Sequence, residues 1–147
     1  MNTHKILVPI DFSEINKELV TIADEWAQRT HAQLYFLHVV PDFTYRFIDP
    51  DVQNVFGTNN DIIIAEIQER IESFVKEQGV KSPHECLVRE GKANTEIVEV
   101  QKELNIDQII IAAHDHTAVG RLFVGSNTDF VLHHVHCPVY VYKNHAA

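Results

Sequence analysis

The chain has 147 residues, 45% of them hydrophobic and 22% charged, the size and balance of one globular domain over residues 1–147. Its formal charge is −9 with neutral histidines, and no cluster of Lys or Arg offsets it, which excludes nucleic acid and anionic membrane surfaces as partners. No run of about 18 apolar residues is present to span a membrane, and the opening "MNTHKILVPIDF" carries no secretory pattern, so a cytoplasmic location is expected.

In chain order, "KILVPI" (5–10) is a nearly continuous apolar run, as expected of a strand buried on both faces. Ser13 follows as a candidate N-cap. Ile15, Leu19, Ile22, Ala23, Trp26 and Ala27 then recur at helical spacing, which predicts an amphipathic helix over 14–29. "AQLYFLHVV" (32–40) reads as the second strand. Residues 41–60 hold two prolines and a glycine with no clean period. They read as a long loop, a length usually reserved for function. Ile63, Ile67, Ile71, Phe74 and Val75 mark a second helix running to about Gly79. "HECLVRE" (84–90) alternates as a strand, and Gly91 ends it. Thr95 is a candidate cap for a third helix carrying Ile97, Val100 and Leu104. "QIIIAA" (108–113) is a fourth strand, Ser126 to His136 a fourth helix, and "PVYVYK" (138–143) a fifth strand.

The order is β-α-β-α-β-α-β-α-β. It predicts an α/β fold, a single doubly wound open sheet of five mostly parallel strands with four helices on its two faces. Ligands of such sheets sit beyond the carboxyl ends of the strands, where the strand order reverses. "PIDFS" after the first strand, "HVVP" after the second and the segment after the fourth are therefore expected to line one crevice.

"VPIDFSE", "LHVV", a glycine after the third strand and "GSNTDFVLHHVHCPVYV" together resemble the universal stress protein family over essentially the whole chain. The resemblance implies an adenine-nucleotide α-hydrolase-like fold, a regulatory or protective role under stress, and a homodimer built through the last strand, here Val139 to Tyr142. Many members bind ATP through Gly-x2-Gly-x9-Gly-Ser/Thr. Carried over, Asp11 beside Pro9 matches the aspartate on the adenine and ribose side, and Val39 the residue whose backbone meets the adenine edge. Gly125 and Ser126, with Asn127 next to them, match the phosphate end. Counting back from Gly125 places the other two motif glycines at Asp115 and Ala112, so the spacing is kept while two glycines are replaced.

Those replacements have a physical cost. A phosphate cradle needs backbone N–H groups aimed at the anion and close backbone approach, which glycine permits. Ala112 adds one methyl. Asp115 adds a carboxylate, which at about 5 Å from a phosphate repels it by about 1 kcal/mol or more. Mg²⁺ bridging Asp115 and phosphate oxygens would reverse that sign. Gly125 and Ser126 at a helix start still offer free N–H groups and the positive dipole end, with His114 as a further donor. The site residues expected for ATP or AMP, with Mg²⁺ as a companion, are thus Pro9, Asp11, Val39, Ala112, His114, Asp115, Gly125, Ser126 and Asn127. Simpler readings stand beside these: Asp11 as a turn residue and Ser126 as only a helix cap.

Ten histidines invite a metal reading. His133 and His136 fall at i, i+3 beside Cys137, yet the spacing lacks the paired pattern of a zinc site, and no metal is expected. The two cysteines, Cys86 and Cys137, make no redox motif and are expected as free thiols. No nucleophile elbow or Walker lysine is present, so no catalytic residue is assigned. Three functions follow from the chain: an adenine-nucleotide sensor with an unidentified protein partner, a dimer that acts through protein contacts without nucleotide, and a slow Mg²⁺-dependent ATPase.

Overall fold

The computed structural model describes residues 2–41, 59–113 and 126–143. Five strands lie among them: β1 (Lys5–Pro9), β2 (Gln33–Val40), β3 (His84–Glu90), β4 (Gln108–Ala113) and β5 (Val139–Lys143). They alternate with α1 (Glu14–Thr30), α2 (Asn59–Glu77), α3 (Ala93–Leu104) and α4 (Ser126–His134). The strand order is β3-β2-β1-β4-β5, and all four neighbouring pairs run parallel. The doubly wound α/β expectation holds, with no antiparallel strand among those described.

Alternation along each strand sends successive side chains to opposite faces. Ile6, Val8, Leu34, Phe36 and Ile110 face α1 and α2, where Leu19, Val20, Ile71 and Val75 cover them. Leu7, Leu37, Ile109 and Ile111 face the other way, against Ile97 and Val100 of α3 and Val131 of α4. Burying each such side chain contributes about 1.5–3 kcal/mol, which is why central strands read as unbroken apolar runs.

Helix ends depart from expectation. Ser13 does occupy the N-cap of α1, but its side chain makes no capping bond. The first turn closes instead through the Asn16 N–H to the Ser13 carbonyl at 3.0 Å. Thr95 is no cap: α3 starts at Ala93 after Lys92, and the Thr95 N–H is taken by Asn94 Oδ1 at 2.6 Å. The cause is Gly91, whose φ of 145° turns the chain at once, so the helix begins three residues early, with its N-cap at Lys92 in place of Thr95. A side chain at Gly91 would also press on Glu96 Oε1 at 2.9 Å. Two helices end on left-handed non-glycine residues, His31 after α1 and Asn105 after α3. The last helix stops at His134, not His136, so His133 and His136 do not share a helical face.

Candidate functional site

The chain runs outward from β1 to β2 and β3, then crosses back to β4 and β5. The reversal lies between β1 and β4, and at their carboxyl ends a crevice of about 230 Å³ opens. This is the position that parallel-sheet topology favours, because adjoining loops lead to opposite faces and part there. Pro9 and Asp11 line it from β1, Val39 from β2, Ala112 from β4, and Ser126 with Asn127 from the start of α4. Six of the nine expected residues therefore converge. The other three, His114, Asp115 and Gly125, lie outside the described residues.

The β1 rim is held tightly. The Asp11 N–H donates to Asn16 Oδ1 at 2.6 Å, and Asp11 Oδ1 accepts the Ser13 N–H at 2.9 Å. That second bond is the local turn chemistry open to any aspartate after a strand. Phe12 follows with φ of 66°, a left-handed value that costs about 1–3 kcal/mol in a bulky residue. Ring packing offsets it. Phe12 lies 4.6 Å from the His38 ring and 5.6 Å edge-on from Phe74, and the Arg70 guanidinium sits 4.0 Å above it.

His38 completes this rim. Its Nδ1–H donates to the Ile10 carbonyl at 2.7 Å, since a carbonyl only accepts. Burial drives the His38 pKa down; the Ile10 bond opposes this, the Arg70 charge adds to it and Asp11 opposes it least, and the net direction is down. The ring is neutral at pH 7 and presents no cation.

The opposite rim is the first turn of α4. Ser126 and Asn127 are exposed, and Thr128 is buried, with its hydroxyl donating to the Ala112 carbonyl at 3.4 Å. That bond ties the helix start to the end of β4. Free N–H groups at a helix start carry partial positive charge. Between the rims the floor is apolar, made by Leu37, Ile97 and Ile111.

Asn16, His38 and Thr128 are crevice residues that reading the sequence for motifs missed. Asn16 did leave a signal. It stands three, four and seven residues before Leu19, Val20 and Ala23, on the stripe that α1 buries, where a polar side chain needs a reason.

Elsewhere, the described residues bring no three His, Cys, Asp or Glu side chains together as a metal site. His133 pairs with Asp129 at 3.4 Å, and His134 stacks on Phe130. Cys86 and Cys137 are free and half-buried. Burial, then Glu72, pushes the Cys86 thiol up to about 11, and burial with Asp107 raises Cys137, so neither is a reactive thiolate at neutral pH.

Sheet order and crevice together define a doubly wound α/β protein that opens at a single topological switch point among its described residues. The chain belongs to the universal stress protein family, whose model matches residues 2–143. Universal stress protein MJ0531 of Methanocaldococcus jannaschii is 29% identical over 142 residues, covering 95% of this chain and 81% of that protein. The solved structure of UspA from Lactobacillus plantarum superposes with a TM-score of 0.71 at 28% identity, over 96% of this chain and 98% of that one. That of the protein MJ0577 reaches 0.78 over the full length of both, at 23% identity, a likeness of fold. Two more share the fold and hold a ligand: a universal stress protein in complex with cAMP (TM-score 0.66, 16% identity) and the Archaeoglobus fulgidus protein in complex with dAMP (0.62, 22%).

Proposed function

We propose that the protein binds an adenine nucleotide, AMP or ATP, in the switch-point crevice and acts as a cytoplasmic regulatory sensor in a homodimer. One observation carries the reading: the crevice sets a carboxylate on one rim and a helix start on the other, across an apolar floor. The floor suits a planar base, Asp11 suits the hydrogen-bond donors of a nucleoside, and the Ser126 turn suits an anion. The volume of about 230 Å³ lies a little below the usual cleft range of about 300–1,000 Å³. The complexes of related folds with cAMP and dAMP support the same ligand class.

Calorimetry with AMP and ATP, with and without Mg²⁺, tests it. If Asp115 opposes phosphate, metal-free ATP binds no better than AMP, and Asp115→Gly favours ATP by about fivefold, the equivalent of about 1 kcal/mol. If Asp115 instead holds Mg²⁺, the same change weakens Mg-ATP and leaves AMP alone. A protein that binds neither nucleotide at millimolar concentration overturns the sensor reading and leaves a dimer that acts through protein contacts.

A further inference from the structure

Asn16 is 2% exposed, one of the few polar residues in the interior, and what remains reachable of it lines the crevice. Its orientation is settled by chemistry. The bond of 2.6 Å from the Asp11 N–H can end only on an amide oxygen, so the other branch is the NH₂ group. Among the described residues the side-chain bond that Asn16 makes is the one Oδ1 accepts from Asp11. Asn16 Nδ2 is not one of the buried atoms left without a partner, which among the described residues are Ser13 Oγ and Gln101 Oε1, so the accessible part of this side chain is the part that lines the crevice.

We propose that Asn16 reads the ligand: Oδ1 holds Asp11 in place, and Nδ2 donates to an acceptor on the nucleotide beside the donor that Asp11 takes. The inference rests on the nucleotide reading of the crevice. Asp11 accepts and Asn16 donates side by side, so the pair matches a ligand group that carries a donor next to an acceptor. A ribose hydroxyl is one such group, giving its proton to Asp11 and receiving from Nδ2. The N6/N1 edge of adenine is the other. Because Asn16 bonds to Asp11, the group it reads lies at the nucleoside end of the crevice and not at the Ser126 end.

The experiment measures the binding of AMP, 2′-deoxy-AMP, 3′-deoxy-AMP and IMP to the parent, Asn16→Asp and Asn16→Leu, with melting curves to confirm folding. Asn16→Asp keeps an oxygen for the Asp11 N–H and removes the donor, so it separates ligand reading from support of Asp11. Both variants are expected to lose about tenfold or more in AMP affinity, the worth of one buried hydrogen bond. The loss should shrink to about twofold or less for the analogue that lacks the group being read. Selective shrinkage with a deoxy-AMP assigns the hydroxyl, and with IMP, whose base edge reverses donor and acceptor, the adenine edge. Equal loss across all four ligands, or no loss with AMP, overturns the role of Asn16 while leaving the nucleotide site intact. A parent that binds none of the four overturns both.

Discussion

At the scale of single residues, buried carboxylates and amides separate what supports the fold from what serves the crevice. Asp24 supports the fold. It is 7% exposed and accepts from the Ser82 N–H at 2.9 Å, the Lys81 N–H at 3.2 Å and Gln28 Nε2 at 2.9 Å, which fastens α1 to the turn before β3. Burial alone would raise its pKa, but the bonds from Ser82, Lys81 and Gln28 outweigh that and hold it below 3.8. A depressed carboxylate contributes stability that is full above its unfolded value and is lost as pH falls through the folded one. Asp24→Asn is therefore expected to destabilise the protein at neutral pH by about 1–3 kcal/mol and to flatten the loss of stability below about pH 4, read by denaturant titration across pH. Asp11, by contrast, is exposed at the crevice rim. Asp11→Ala should weaken adenosine binding yet leave the melting temperature of the unliganded protein within a few degrees, since Asp11 is exposed and the bond its carboxylate accepts from the Ser13 N–H spans only two residues of the chain. Equal adenosine affinity in variant and parent would remove Asp11 from the site.

At the scale of elements, β5 is an edge strand, paired among the described strands with β4 alone. The Ile109 N–H donates to the Pro138 carbonyl at 3.0 Å, and Ile109 sits opposite Val139 in the register. In a parallel pair the bonding residues alternate, so Tyr140 and Tyr142 turn their N–H groups to β4 while Val139 and Val141 turn theirs to the open edge. Proline at 141 therefore removes an edge donor without breaking a β4 bond. If a second copy pairs with this edge, as we propose, Val141→Pro yields monomers that keep the parent fold. Light scattering showing an unchanged dimer would exclude this edge. Trp26 against Tyr140 at 4.8 Å and the Tyr142 hydroxyl donating to Glu18 hold the strand against α1 and leave its outer backbone as the surface on offer.

At the scale of the whole molecule, a nucleotide bound at the switch point as proposed would touch elements that pack on both faces of the sheet, β1 with α1 and β4 with α3 and α4. Binding to the native state alone stabilises the entire domain. AMP at about 100 times its dissociation constant should add about 2.7 kcal/mol and raise Tm by about 5–11 °C for a chain of this length. A melting curve that AMP does not move would mean that the crevice holds no such ligand.

Strand identity was legible along the chain because apolar runs of four to eight residues between Gly, Pro and polar turns have few other uses, and "HECLVRE" coincides with β3. The helices were legible as periods but not at their ends. Thr95 looks like a cap by residue type, and only the backbone turn at Gly91 shows that the helix has already begun. The convergence of Pro9, Asp11, Val39, Ala112, Ser126 and Asn127 followed from topology, since alternating strands and helices force a parallel sheet with a reversal. What the sequence by itself determined was thus the local conformations, the fold class and the rim of the crevice, because hydrophobic period and chain connectivity are both written in one dimension. Only the tertiary structure decided that Asn16 reaches back to Asp11, that His38 is neutral and bound to Ile10, and that Phe12 holds a strained turn beneath Arg70. Those properties depend on which distant groups share a desolvated space, and burial and pairing there set the cost of every polar atom.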